Sequence, residues 1–252
     1  MASPSLVYEN EKLTLYQHEL GEWDNLNHLI VCKSTGQGCI IDPFDGQFWH
    51  DFCQSKGIKL THIWLTHSHW DHIKGVDELY AITDSQLTIK CHILEQERGY
   101  NSDKASWWTH DQFSHIADSF GSLVFSIHCT PGHTPGHVTI IGNGIIVTGD
   151  CLFLGSCGRT DLFGGDEENQ RKSVLYLKEI FDNLNPEDIV LPGHCYEISD
   201  GFRPMNSTLA DLLKINKAIK SAHDIRLWRQ LPFLSFDDNM AKQARRRRVN
   251  QS

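Results

Sequence analysis

No stretch of this 252-residue chain approaches the roughly eighteen consecutive apolar residues of a membrane-crossing helix, so no transmembrane segment is expected. Residues 1–11 lack the basic stretch and apolar run of a secretory leader, and no signal peptide is expected there. Basic charge is scarce. The 23 Lys and Arg face 32 Asp and Glu, and the net charge of −9 argues against general affinity for nucleic acid or for an anionic membrane. The eight cysteines lack the short regular spacing of a disulfide framework, and a chain this long needs no stapling. They read as reduced thiols of a cytoplasmic protein. Cys129, Cys151 and Cys195 stand near candidate ligands in sequence, but small apolar thiols are more often core residues. No repeat or low-complexity linker interrupts the chain.

What is present is concentrated in Leu65-Thr66-His67-Ser68-His69-Trp70-Asp71-His72, directly after the apolar run Ile63-Trp64-Leu65. Four metal-ligand types, His67, His69, Asp71 and His72, fall within six residues. Residues two apart in an extended segment point the same way, so His67, His69 and Asp71 are expected on one side and His72 on the other. That split allows two imidazoles to one metal, and a carboxylate with an imidazole to a second. Such donors suit zinc, iron, nickel or copper.

The rest of the chain alternates strands and helices. Residues 5–18 read as two short strands around Asn10-Glu11. His28–Cys32 and Cys39–Ile41 read as a hairpin, ended by Asp42-Pro43. A helix is expected over Phe48–Gln54 with Gly57 as its stop, a strand over Thr61–Leu65, and a helix over Val76–Ile82. Leu87–Ile93 reads as a strand, and 94–118 shows no clear period. Ser122–Cys129, His137–Ile141 and Gly144–Thr148 read as strands, with Gly142-Asn143 as a turn. Asn169–Leu184 reads as an amphipathic helix, Asp188–Leu191 as the last core strand, and Thr208–His223 as a further helix. A boundary near residue 203 separates a catalytic domain, 1–203, from a helical extension, 204–252, whose tail carries Arg245-Arg246-Arg247-Arg248. Strands and helices mixed in this order fit a layered α/β architecture with its chemistry in the loops at strand ends.

Three more strand ends carry ligand types: Thr130-Pro131-Gly132-His133, Gly149-Asp150 and Pro192-Gly193-His194. With the first loop they make five His and two Asp. That is about the number two four- or five-coordinate metals need when one carboxylate is shared and water fills the remainder.

The four motifs, in this order, resemble the metallo-β-lactamase fold superfamily from about residue 12 to 197. The resemblance implies an αββα sandwich with the site along the shared edge of its two sheets. It assigns His67, His69 and His133 to one metal, Asp71, His72 and His194 to a second, and Asp150 as the bridge. His137 rivals His133 but begins a strand and reads as structural. A bridging aspartate disfavours a true β-lactamase. It is shared by the glyoxalase II group, the persulfide dioxygenases, the lactonases and the RNA-processing nucleases.

The loop Gly155-Ser156-Cys157-Gly158-Arg159-Thr160-Asp161 resembles that of bacterial glyoxalase II-like hydrolases and of persulfide dioxygenases. Arg159 can supply the positive charge for substrate, while Asp161 stands where glyoxalase II has a glutathione-binding tyrosine. Tyr196, in Gly193-His194-Cys195-Tyr196, resembles a second such tyrosine and is either a substrate contact or a packed aromatic. Trp70 either shapes the pocket mouth or packs. Lys242 and the arginine cluster either reach an anionic substrate or form a solvated tail.

The expectation that follows is a glyoxalase II-like hydrolase with two divalent metals, zinc first and iron or manganese as alternatives. A metal-bridging hydroxide would attack a thioester such as S-lactoylglutathione, with Asp71 and Asp150 as catalytic carboxylates. The alternative is a persulfide dioxygenase with one iron on His67, His133 and Asp150. Lactonase, β-lactamase and nuclease readings stand behind it. Neither a nucleic-acid nor a membrane partner is expected, and oligomeric state stays open.

Overall fold

The structure is a computed structural model that describes residues 2–84, 86–199 and 201–231. Lys242 and Arg245–Arg248 lie outside the described residues. Thirteen strands among the described residues form two sheets in which strand order follows chain order. The first sheet runs β1 (Ser5–Glu9), β2 (Leu13–Leu20), β3 (Asn25–Cys32), β4 (Gln37–Ile41), β5 (Lys59–Trp64), β6 (Thr88–His92) and β7 (Ala105–Trp108). Its early strands are antiparallel, and β4 to β7 are parallel. The second holds β8 (His115–Phe120), β9 (Leu123–Cys129), β10 (Val138–Gly142), β11 (Ile145–Gly149), β12 (Ile189–Pro192) and β13 (Ser207–Thr208). Within it only β11 and β12 are parallel.

Period-two alternation explains the layers. Along β3, Ile30 and Cys32 point into the space between the sheets, where they meet Trp64, Phe125, Ile140 and Val147. Leu29 and Val31 point the other way, onto Trp49, Phe52 and Cys53 of α1 (Gly46–Lys56) and Val76 and Leu79 of α3 (Val76–Ile82). The second sheet repeats the pattern. Ile146 and Val190 face outward onto Val174, Leu177 and Phe181 of α4 (Glu167–Phe181). The result is the expected αββα order, with three apolar clusters between four layers. α1 starts where Asp45 accepts a bond from the Phe48 amide, and it stops at Gly57, whose φ of +66 is the left-handed cap that favours glycine.

Two stretches differ from expectation. Residues 94–118, which lack a period in sequence, contain a 3-10 turn over Ile93–Arg98, then β7 and β8, so the chain crosses between sheets there. β7 is only four residues long, too short to display alternation. The helix expected over Thr208–His223 is broken into α5 (Leu209–Ile215) and α6 (Lys217–Ser221), followed by α7 (Ile225–Trp228). Asn216 causes the break. Its backbone is extended, its side chain caps α6 through the Ile219 amide, and its amide nitrogen donates to Phe153 and Ser156 carbonyls.

These helices join the core. Leu209, Leu212, Ala218, Ile219 and Trp228 share one cluster with α4, and β13 pairs with β12. All eight cysteines are free and buried. No helix among the described residues is long and apolar enough to cross a membrane. Because Trp228 is 0% exposed, Trp228→Ala should lower stability by about 3–5 kcal/mol, read from denaturant melts. An unchanged midpoint would show that α7 lies outside the cooperative core.

Candidate metal centre

Four strand ends converge on the candidate site. β5 runs into Thr66 and His67, the β9–β10 loop carries His133, Asp150 directly follows the end of β11, and His194 lies two residues past the end of β12. The local geometry of the first loop differs from expectation. The extended stretch stops at His69, and one helical turn, α2 (Trp70–Ile73), begins at once. The turn swings Asp71 out of the row of His67 and His69. Asp71 therefore gathers with His72 and His194, while His67 and His69 gather with His133. Within each trio the donor atoms lie within 4.8 Å of one another.

Asp150 sits between the trios. Its Oδ2 is 3.3 Å from His133 Nε2 and 3.3 Å from His194 Nε2, and its Oδ1 is 3.5 Å from His72 Nε2. Two glycines make room. A Cβ on Gly193 would come 2.2 Å from Asp150 Oδ1, and Gly149, at φ +48, would bring one 2.7 Å from Thr66 Oγ1.

The second nitrogen of nearly every ring is fixed by the protein. His67 Nδ1 meets Thr66 Oγ1 at 3.0 Å, His72 Nδ1 meets Asp42 Oδ2 at 2.9 Å, His133 Nδ1 meets the Arg159 carbonyl at 2.6 Å, and His194 Nδ1 meets the Trp23 carbonyl at 2.8 Å. Each leaves Nε2 pointing inward. The Nε2 atoms of His67, His69 and His133, and Oδ1 of Asp150, are buried without a hydrogen-bond partner. Orphaned buried acceptors are costly unless something else satisfies them. Converging imidazoles with their outer nitrogens anchored are the arrangement metal ligands adopt, so the donor set fits two cations. His72 Nε2 and His194 Nε2 are 3.2 Å apart, close to the spacing of two nitrogens on one zinc at about 2.0–2.1 Å each.

His137 is engaged at both nitrogens. Nε2 accepts from the Asp150 and Cys151 amides, and Nδ1 meets Thr130 Oγ1. It shapes the turn that presents Asp150.

Three residues without a role in the sequence reading organise the centre. Asp42 accepts from the Thr66 amide and hydroxyl and from His72 Nδ1. Its Oδ2 also lies near donors of His67 and His72. Two protons already aim at that oxygen, so Asp42 is an orienting group, not a ligand. Like the ligands, it ends an apolar strand, which was its only trace in sequence. Asn25 donates to Asp71 Oδ2 at 2.8 Å. Glu95 accepts from the Ser68 amide and hydroxyl and from the Gly136 amide, tying the first ligand loop to the loop of His133. Nothing in the aperiodic 94–118 stretch marked Glu95.

The other candidates are placed as follows. The Arg159 side chain makes a two-point ion pair with Asp161, at 2.5 and 2.7 Å. The Tyr196 ring stacks on His194, 5.2 Å away and 4° from parallel, and stays 36% exposed. Trp70 meets Trp23 and Phe44 along one side and is 51% exposed on the other. No cysteine joins a ligand cluster among the described residues.

Charge follows burial and neighbours. Burial, with His72 nearby, holds His67 well below the usual imidazole range. Burial likewise takes His137 to about 3. Burial opposes charge on His72 too, but Asp150, Asp71 and Asp42 outweigh it and raise this imidazole to about 10. Burial would raise Asp150, yet His194 and His72 hold it well below the carboxylate range.

Two outcomes follow. Asp42→Asn removes the acceptor that aims His72 and should weaken metal binding about 10- to 100-fold in chelator competition. Equal affinity would refute the orienting role. A ligand imidazole must be neutral, and His72 carries a proton below about pH 10 in metal-stripped protein. Metal uptake at pH 7.5 should therefore release about one proton from His72, and uptake should weaken as pH falls. Calorimetry in buffers of different ionisation enthalpy reads this, and heats independent of buffer would contradict it.

Set against known proteins, the sequence profile of the metallo-beta-lactamase superfamily matches residues 28–194. A hydroxyacylglutathione hydrolase of Shewanella loihica is 33% identical over 173 residues, which cover 69% of this chain and 62% of that protein. The chain thus spans about 62% of the length of the curated relatives it matches. Among solved structures, ETHE1 from Myxococcus xanthus is 25% identical with a TM-score of 0.69, over 86% of this chain and 90% of that one. TTHA1623 in a di-iron-bound form is 28% identical with a TM-score of 0.60, over 79% of this chain and 98% of that one.

Proposed function

The chain belongs to the metallo-beta-lactamase superfamily, and from that premise we propose that it is a binuclear metal-dependent hydrolase of a thioester carried on a glutathione-like thiol. One observation supports this most directly. Two complete donor trios stand on either side of a single carboxylate, Asp150. His67, His69 and His133 hold one divalent cation in this reading, Asp71, His72 and His194 hold the other, and Asp150 serves both. The nitrogen-rich set suits zinc, and the di-iron form of the similar TTHA1623 makes iron the alternative.

The thioester assignment draws on the hydroxyacylglutathione hydrolases among the relatives and on Tyr196. This ring flanks a cavity of about 160 Å³, beside His194, that Glu197, Ile198 and Lys217 also line. The cavity receives the thiol carrier, with the scissile carbonyl between the trios. When bound, two such cations make hydroxide available near neutral pH and polarise a carbonyl. Asp71 and Asp150 orient the attacking water through their carboxylates, and Asn25 holds Asp71 in place. His194 is kept in register by the Trp23 carbonyl and by Tyr196 stacked on it. Water adds to the carbonyl carbon, the C–S bond breaks, and the products are a carboxylic acid and a thiol. The thiolate leaving group is stable enough near neutral pH that no dedicated proton donor is required. Eight free cysteines support the reading of a protein that works in a reducing compartment such as the cytoplasm.

The test is metal content per chain, in protein purified without added metal, beside turnover of S-lactoylglutathione and oxygen uptake with glutathione persulfide. About two metals with thioester cleavage is expected. His194→Ala should retain about one metal and lose on the order of a hundredfold or more in kcat. One iron per chain with oxygen consumption would replace this reading with a persulfide dioxygenase on His67, His133 and Asp150, and would leave Asp71, His72 and His194 without a task.

A further inference from the structure

The cavity beside His194 is small and carries one charge of each sign. At about 160 Å³ it falls short of a site that encloses a whole small ligand, roughly 300–1,000 Å³. It therefore takes one end of the thiol carrier and leaves the rest outside. Leu154, Ile198 and Ile215 supply its apolar wall, and Glu197 and Lys217 bring the two charges.

Three segments fix this cavity. Phe153 packs on His194 and on Tyr196, with ring centroids 5.8 and 4.8 Å apart. The Asn216 side chain donates to the carbonyls of Phe153 and Ser156, and the Lys217 amide donates to that of Gly155, so the start of α6 is bonded to the 153–156 segment. On the third side the Ile198 amide donates to the Phe202 carbonyl, and the Gly201 amide donates to Glu197 Oε1 at 2.9 Å. Glu197 Oε2 and Lys217 Nζ have no hydrogen-bond or ion-pair partner among the described residues, each other included. Both residues are exposed, so a solute reaches them directly.

A carboxylate and an ammonium beside a short apolar wall are the complement of an α-amino acid head. Its ammonium pairs with Glu197, its carboxylate with Lys217, and its methylenes lie on Ile198 and Ile215. We infer that the cavity receives a free α-amino acid group at the end of the thiol carrier, joined to the thiol through a side-chain linkage of the γ-glutamyl type, with Glu197 as the residue that selects its ammonium. This rests on the thioester reading, which puts the carrier at Tyr196. The linkage follows from the chemistry of the substrate. An amine two carbons from the sulfur would attack the thioester through a small ring and take the acyl group itself, so a lasting substrate keeps its amine further away. A carrier that ends in phosphate, or in a carboxylate without an amine, meets Glu197 as a like charge.

The test uses the metal-loaded full chain and two readouts. The first is kcat/KM for S-lactoylglutathione, for its N-acetyl form, which caps the ammonium, and for its glycine-amide form, which removes the carboxylate at the opposite end. The second is calorimetric binding of S-methylglutathione, a thioether that cannot be hydrolysed, and of its N-acetyl form. Both are read in the unaltered protein, Glu197→Gln and Lys217→Gln. In the unaltered protein N-acetylation should lower kcat/KM about 10-fold, through KM, as befits an exposed charged contact, and the glycine amide should change it less than about twofold. Glu197→Gln should erase the discrimination between free and capped forms, in turnover and in binding. Lys217→Gln should weaken both forms alike. Equal values for free and capped forms in the unaltered protein, or a discrimination that persists in Glu197→Gln, overturns the inference. A loss confined to the glycine amide would put the other end of the carrier in the cavity and overturns it as well. If no thioester turns over while S-methylglutathione binding still depends on Glu197, the amino-acid site stands and the thioester reading falls.

Discussion

The buried Asp42 carboxylate is the interaction on which the centre depends. It closes β4, binds the amide and hydroxyl at the end of β5, and reaches across to the first turn of α2. One group thus sets the spacing between a strand end and the helical turn that carries Asp71 and His72. Through Thr66 it also fixes the ring of His67. Two imidazoles, one from each trio, therefore take their orientation from the same carboxylate. Burying such a charge is unfavourable unless it is fully bonded, and here both oxygens are. The arrangement therefore resists partial disruption: removing any one donor leaves a buried charge short of partners.

Glu95 does the same work between halves of the molecule. It binds Ser68 from the first ligand loop and Gly136 from the loop after His133. The two sheets meet face to face through apolar contacts, which have no direction of their own. Directional bonds from Asp42, Glu95 and Asn25 convert that slippery interface into a fixed one where the ligands converge. Asn25 illustrates the economy of the device. It lies on β3 and donates to Asp71, and its own backbone bridges to His194.

Much of this was legible in the sequence because ligand types and strand periods are local properties. An apolar run followed by a metal-ligand residue, with or without a glycine beside it, can be recognised without knowing what lies opposite, and all four strand-end motifs could be read in this way. The αββα order followed from the same alternation. What escaped has a common cause. Asp42, Asn25 and Glu95 act on partners 24 to 46 residues away, so their roles exist only once the fold has formed. The helical turn at Trp70 also escaped, because four residues are too few to show a period, so strand alternation alone put Asp71 on the side of His67 and His69, whereas the family resemblance grouped it with His72 and His194. The break at Asn216 was hidden for another reason. Leu209, Leu212, Leu213, Ile215 and Ile219 keep a helical spacing across it, while the side chain that interrupts the helix does so through carbonyls of a distant loop.

The chain order of the strands has a bearing on how the protein is made. Each sheet is assembled from neighbours in sequence, so each can form as its segment leaves the ribosome. The first half brings His67, His69, Asp71 and His72, and the second brings His133, Asp150 and His194. The second half in turn closes its apolar layer only when Trp228 is in place. Neither half on its own holds a full trio. A cation that binds both halves therefore favours the docked state over every partly assembled one, by mass action. Any group held by ligands from both halves would thus tie the first sheet to the second at the edge where the four strand ends meet.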